Sequence, residues 1–120
     1  MANILIVNHS RVALHMIRRV LQLQGHTIFT AEDSIHGLDR LSKTNMDLII
    51  SDTNLPSCDG FEFFSHIRAK DKQLPFVMLT ETGDDADAVR AERMAVDGFI
   101  TQPFESADLI NTITPLMTHR

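Results

Sequence analysis

The sequence has little of what would tie a protein to a membrane, a covalent framework or a polyanion. It holds a single cysteine, Cys58, so no internal disulfide can form and a reducing compartment is expected. No apolar run approaches the roughly 20 residues of a membrane span, and the first residues lack a signal-peptide pattern. A cytoplasmic domain is the expectation. Positive charge is in deficit: 11 Lys and Arg against 16 Asp and Glu, a net of −5 at pH 7. That balance argues against nucleic acid or an anionic membrane as partners of this domain. The basic residues fall in small groups, Arg18–Arg19 and Arg68, Lys70, Lys72, which read as solvated helix ends. A Gly-rich phosphate loop is also missing, which speaks against a nucleotide-dependent enzyme in this fold class.

What remains is an ordinary soluble composition. The chain has 120 residues, 43% of them apolar and 22% charged, enough for one domain, 1–120, around one hydrophobic core. Asn3 to Val7 reads as a first strand, and Ser10 as the N-cap of a helix with Ala13, Leu14, Ile17, Val20 and Leu21 on one face. Gly25 stops it. Thr27 to Ala31 is a second strand. A helix entered through Asp33 or Ser34 carries Ile35, Leu38 and Leu41 inward, with Gly37 as a weak point. Leu48, Ile49 and Ile50 form a strand apolar on both faces, as in a parallel sheet. Phe61, Phe64 and Ile67 mark a third helix, and Leu74 to Leu79 a fourth strand. Glu81-Thr82-Gly83 turns into a weakly apolar helix with Asp84, Asp85 and Asp87 in its first turn, where the dipole favours acids. Phe99 to Thr101 is a fifth strand. The last helix turns Leu109, Ile113 and Leu116 inward, and Pro115 is expected to bend or end it near Thr114. Five strands alternating with five helices predict an α/β, doubly wound parallel sheet with right-handed crossovers.

Such sheets do their chemistry beyond the carboxyl ends of their strands. Here those ends carry Asn8 and His9, Asp52 with Asn54 after it, Thr80, and Gln102. Asp52 alone could be a turn-former and His9 a hydrogen-bonded structural side chain. Polar residues at four strand ends together predict a site. Phe99 fits either a half-buried edge aromatic or a moving part. Glu81 is expected to point to water.

Taken together, Asn-Ile-Leu-Ile-Val before Asn8, Asp47-Leu-Ile-Ile-Ser-Asp-Thr-Asn-Leu-Pro56 through Asp59-Gly60-Phe61, Phe-Val-Met-Leu-Thr ending at Thr80, and Asp97-Gly-Phe-Ile-Thr-Gln-Pro-Phe104 resemble a known family. It is the receiver domains of bacterial two-component response regulators, of the single-domain chemotaxis type. The resemblance implies a flavodoxin-like sheet of order 2-1-3-4-5. It makes Asp52 the counterpart of the aspartate phosphorylated by a histidine kinase. Thr80 matches the hydroxyl residue that bonds the phosphoryl group, and Phe99 the switch aromatic that turns inward when that bond forms.

Three positions depart from the family pattern. Two adjacent acids that hold Mg²⁺ are replaced by Asn8 and His9, and the lysine before the final Pro-Phe by Gln102. Mg²⁺ takes hard oxygen ligands, chiefly carboxylates, and imidazole suits softer metals. The Mg²⁺ site is therefore expected to be lost, with no other cofactor and no enzymatic activity. The leading expectation is a degenerate receiver acting by protein–protein contact, without phosphorylation. The alternative keeps phosphorylation of Asp52 by a histidine kinase through an atypical metal site. By the resemblance, a signalling partner (a histidine kinase, a downstream target or a second copy) docks on the fourth helix, fifth strand and fifth helix, roughly Asp84 to Met117.

Overall fold

The computed structural model describes residues 1–81 and 85–117, so Thr82, Gly83 and the expected first-turn Asp84 lie outside the described residues. Five strands, β1 (Asn3–Val7), β2 (Thr27–Ala31), β3 (Leu48–Asp52), β4 (Phe76–Glu81) and β5 (Gly98–Gln102), alternate with helices. The helices are α1 (Arg11–Leu23), α2 (Ser34–Lys43), α3 (Gly60–Lys70), α4 (Asp85–Arg93) and α5 (Ser106–Met117). All pairings are parallel, in the expected order β2-β1-β3-β4-β5. Ile49 sits between Leu5 and Phe76 in register, and Asp52 pairs with Leu79.

Side chains alternate along each strand, so the sheet buries two cores. Ile4, Ile6, Leu48, Ile50, Val77, Leu79 and Ile100 face α1 and α5. Leu5, Val7, Ile49, Phe76 and Met78 face α2, α3 and α4. Strand β3 is buried at all five positions, which accounts for its unbroken apolar run.

The helices start where side-chain oxygens accept free N–H groups. Ser10 Oγ accepts from Ala13 N at 3.3 Å, Asp33 Oδ1 from His36 N at 2.8 Å, and Asp59 Oδ1 from Glu62 N at 2.9 Å. Each such cap contributes about 1 kcal/mol. Helix α1 ends at Leu23 with Gln24 as its C-cap, and Gly25 beyond it, at a φ of 90°, closes the turn.

Four local expectations are corrected. Ile35 is exposed, and α2 instead buries Ser34 and Gly37. A Cβ on Gly37 would come within 2.9 Å of the Phe63 ring, so the glycine is what lets α2 lie close to α3. Phe63 is fully buried beside the expected Phe61 and Phe64, stacking edge-on with Phe76 at 5.8 Å. Strand β4 begins at Phe76 and not Leu74, because the Leu74 carbonyl is taken by Arg68 and Pro75 has no N–H for a ladder. Finally, α5 continues through Pro115 to Met117. Ile113 and Leu116 pack onto the sheet and hold that last turn, while Thr114 Oγ1 donates to the Ile110 carbonyl at 2.7 Å.

One clamp ties the end of α3 to two connections, α3–β4 and α4–β5, at the amino edge of the sheet. Arg68 donates to the Leu74 carbonyl at 2.8 Å and pairs with Asp97 at 2.6 Å; Asp97 in turn accepts from Phe76 N at 2.8 Å. Asp97→Ala should cost about 1–2 kcal/mol, since it removes a charged hydrogen bond and a partly exposed ion pair. Urea unfolding of the variant checks this, and an unchanged midpoint would show the clamp to be idle.

Candidate functional site

The four strand ends named from the sequence meet at one edge of the sheet. Asn8 follows β1, Asp52 ends β3, Thr80 is the penultimate residue of β4, and Gln102 ends β5. Alternation then divides them. Asp52 shares its side of the sheet with its register partner Leu79 and with Ile100, hence also with Glu81 and Gln102, two residues further along their strands. Asn8, two beyond Ile6, belongs to that side as well. Thr80 and Thr101 share the opposite parity.

The loop after β3 is built tightly around Asp52. Gly60 N donates to the Thr53 carbonyl at 2.9 Å, and a Cβ at Gly60 would run into the Asp52 carbonyl oxygen. Only glycine lets α3 start so close to the strand. Ser57 takes a positive φ of 76° in the same loop, and Ser34 Oγ holds the loop by accepting from Cys58 N at 3.2 Å.

Asp52 is 7% exposed. Its Oδ1 accepts from Asn54 N at 3.4 Å, and the Thr53 backbone N–H and hydroxyl lie close enough to act on it, while Thr53 N itself donates to the Leu79 carbonyl at 3.3 Å. Burial pushes the carboxyl above the usual aspartate range; the Asn54 and Thr53 hydrogen bonds and the charge of His9 oppose that shift without cancelling it. No Lys or Arg stands among the groups acting on it.

The neighbours are differently engaged. Asn8 is buried, and its Oδ1 accepts from Ser10 N at 2.9 Å in the turn that leads into α1. His9 is exposed. Thr80 is buried with its hydroxyl turned to β5, 3.3 Å from Thr101 Oγ1 and 3.5 Å from the Ile100 carbonyl. Gln102 Nε2 approaches Glu81 Oε1 at 3.5 Å, a long cross-strand contact. Glu81 is exposed, as expected, but stands beside Gln102 at the crevice rim. Phe99 lies on edge strand β5 and is 41% exposed. Sequence reasoning missed Thr53 and Thr101. Cross-strand register from Thr80 would have placed Thr101; Thr53, next to Asp52 and of opposite parity, is placed by the turn after β3.

This architecture has relatives. The chain matches the response regulator receiver domain family over residues 4–114. It belongs to that family. The phosphate regulon transcriptional regulatory protein PhoB of Escherichia coli is 32% identical over 116 residues, which is 95% of this chain and 51% of PhoB. The transcriptional regulatory protein GlrR of the same species is 31% identical over 112 residues, 93% of this chain and 25% of GlrR. The chain thus spans between a quarter and about half of these curated relatives. Among solved structures, the chemotaxis response regulator CheY4 of Vibrio cholerae superposes with a TM-score of 0.89 at 30% identity, over 97% of this chain and 98% of that one. A response regulator of Chloroflexus aurantiacus gives 0.93 at 25% identity, covering 98% of both chains. Receiver domains work with histidine kinases and downstream effector domains in two-component systems. No described helix of this receiver is long and apolar enough to cross a membrane.

The raised carboxyl of Asp52 has a thermodynamic consequence. A group that holds its proton more tightly when folded stabilises the fold at low pH, and that contribution is lost as pH rises through the folded-state value. Asp52→Asn should therefore be more stable than the parent near neutral pH. The advantage should shrink as pH falls through the raised folded-state value of Asp52 toward the ordinary aspartate range, and stay level below it. Paired urea titrations of the two proteins across that range measure the difference, in which the other carboxylates cancel. An advantage that grows toward acid would refute the assignment.

Proposed function

We propose that this receiver is degenerate: it signals through protein–protein contact, without Mg²⁺-dependent phosphorylation and without enzymatic activity of its own. The observation that carries the reading is the engagement of Asn8. Its Oδ1, standing where the family has a metal-binding acid, is already hydrogen-bonded to Ser10 N at 2.9 Å. His9 beside it offers ring nitrogens, softer donors than Mg²⁺ takes. Among the described residues no three His, Cys, Asp or Glu side chains converge as a metal-binding group. The donor set does not suit Mg²⁺. A phosphoryl group on Asp52 would also lack a cation opposite it, since Gln102 is neutral and Glu81 adds a negative charge at the rim. Phosphoryl transfer depends on positioning and charge neutralisation, and both are weakened here.

The face assigned to partners is α4, β5 and α5, with Asp84 outside the described residues. Helix α4 buries only Ala91, so few contacts resist a shift. Val89, 46% exposed, and Phe99 give the face an apolar patch. Arg90 is part of the anchorage of α4, its guanidinium stacked 4.2 Å from the Phe61 ring centroid. A partner selecting one position of α4 would switch this face without chemistry at Asp52. A signalling protein or a second copy of the chain could occupy it.

The competing reading is a phosphorylatable receiver using an atypical metal site. It is supported by the presence of Asp52 at the end of a buried strand together with Thr80 and Phe99.

Intact mass after incubation with acetyl phosphate and Mg²⁺ separates the two. No phosphoryl adduct is expected. An adduct abolished by Asp52→Ala would establish the competing reading. Chemical shifts near Asp52 should also stay fixed as Mg²⁺ is added, and saturable sub-millimolar binding would contradict the proposal. Asn8→Asp combined with His9→Asp should restore Mg²⁺ binding, and adding Gln102→Lys should then favour the adduct.

For the partner face, Arg93→Glu with Val89→Asp should weaken binding of the cognate partner while circular dichroism stays unchanged. Asp52→Ala should leave that binding nearly unaltered.

A further inference from the structure

Strand β2 closes the sheet at the edge opposite β5 and has a strand neighbour on one side only. In a parallel ladder every second residue turns both its N–H and its C=O to the same neighbour. Thr27 N donates to the Ala2 carbonyl at 2.9 Å, and the Ala31 carbonyl accepts from Asn8 N at 3.0 Å. Thr27, Phe29 and Ala31 thus serve β1, and Ile28 and Thr30 point their backbone groups away from the sheet. Of these outward groups only the Thr30 carbonyl has a partner among the described residues, Arg40 Nε at 3.2 Å. An edge of this kind is a template for one more strand.

Both flanks of this edge are hollow. Helices α1 and α2 lie on opposite faces of the sheet. Between β2 and α1 a cavity of about 420 Å³ is lined by Arg11, His15 and Arg18, which share one face of α1 at i, i+4 and i+7. Between β2 and α2 a second cavity of about 420 Å³ is lined by His36, Asp39 and Arg40. Thr30 and Glu32 border both. Successive side chains of an added strand turn to opposite faces, so adjacent residues would enter the two cavities in turn. Charge says which residues fit. The fixed charges lining the two cavities are Arg11, Arg18 and Arg40 against Glu32 and Asp39, 3 − 2 = +1, on a chain of −5. Both acids are already paired, Glu32 with Arg11 at 3.0 Å and Asp39 with Lys43 at 3.1 Å. Among the described residues no carboxylate pairs with Arg18 or Arg40. A second copy at this edge would bring its own Arg18 and Arg40, cation against cation.

We propose that the open edge of β2 takes up an extended acidic segment of a partner protein as a further strand of the sheet. Its backbone would pair with Ile28 and Thr30, an incoming N–H replacing Arg40 at the Thr30 carbonyl. Two adjacent carboxylates of the segment would then meet Arg18 on one face and the released Arg40 on the other. The site lies at the far edge of the sheet from β5, and its existence does not depend on whether Asp52 is phosphorylated.

The test uses the full chain and three peptides: an extended one alternating valine and threonine around a central Glu-Glu, its Lys-Lys twin, and a twin of the first whose backbone N–H groups are replaced by ester oxygens. In the free protein the Ile28 and Thr30 amides should exchange with deuterium faster than those of Phe29 and Ala31. The glutamate peptide should slow exchange at Ile28 and Thr30 roughly tenfold or more, as new ladder bonds form. It should bind roughly tenfold more tightly than the lysine twin, a difference that narrows in high salt. The ester twin keeps the side chains and the charge but has no donors, and should lose most of the binding. Arg18→Glu with Arg40→Glu, both at exposed positions, should reverse the preference between the glutamate and lysine peptides. Equal binding of the charge twins, full binding of the ester twin, or unchanged exchange at Ile28 and Thr30 at millimolar peptide would each overturn the proposal. Protection of these two amides without peptide, together with a doubled mass in solution, would do the same and would assign the edge to a second copy.

Discussion

The crevice turns on one electrostatic fact, a carboxylate buried at the end of a strand with His9 as the one basic side chain acting on it and no Lys or Arg. Asp52 has backbone N–H groups and a hydroxyl around it, and burial still outweighs them. Burial in a low-dielectric pocket disfavours the charged form of the carboxyl, and further acids around it would add to that cost unless a dication were present. The three replaced positions fit that logic. Two neighbouring acids would add −2 to the crevice and would need a metal; Asn8 and His9 add none when the imidazole is neutral. A lysine at Gln102 would have countered the charge, and an amide leaves it in place. Each neighbour is already engaged: Asn8 with Ser10, Thr80 with Thr101, Gln102 with Glu81, which is what the proposed metal-free reading rests on.

Much of this is legible in the order of the residues. The apolar run Leu48–Ile50 predicts a strand buried on both faces, and β3 is buried throughout. Strand-end polar residues predict the crevice, because in a parallel sheet all carboxyl ends lie at one edge. What is not legible depends on close approach between elements distant in sequence. Gly37 looks like a flaw in a helix until the Phe63 ring is seen lying over it. Phe63 breaks the three-residue rhythm of α3 because it points into the space that glycine opens. Pro115 looks like a terminator, yet Ile113 and Leu116 hold the helix against the sheet and outweigh the missing N–H. Tertiary packing overrides local propensity in each of these cases.

The engagement of Thr80 has the same character. Its type and position identify it as a crevice residue, but parity along β4 sends its side chain to the face opposite Asp52, where Thr101 on β5 meets it. Phe99, two residues before Thr101 on the same edge strand, shares that side and is partly open to solvent. Movement of the Thr80 hydroxyl away from β5 and inward motion of Phe99 would therefore involve the same stretch of β5. In the degenerate reading proposed above, no metal-assisted chemistry pulls Thr80 away, and the free energy for such a change comes from differential partner binding at the proposed α4–β5–α5 face.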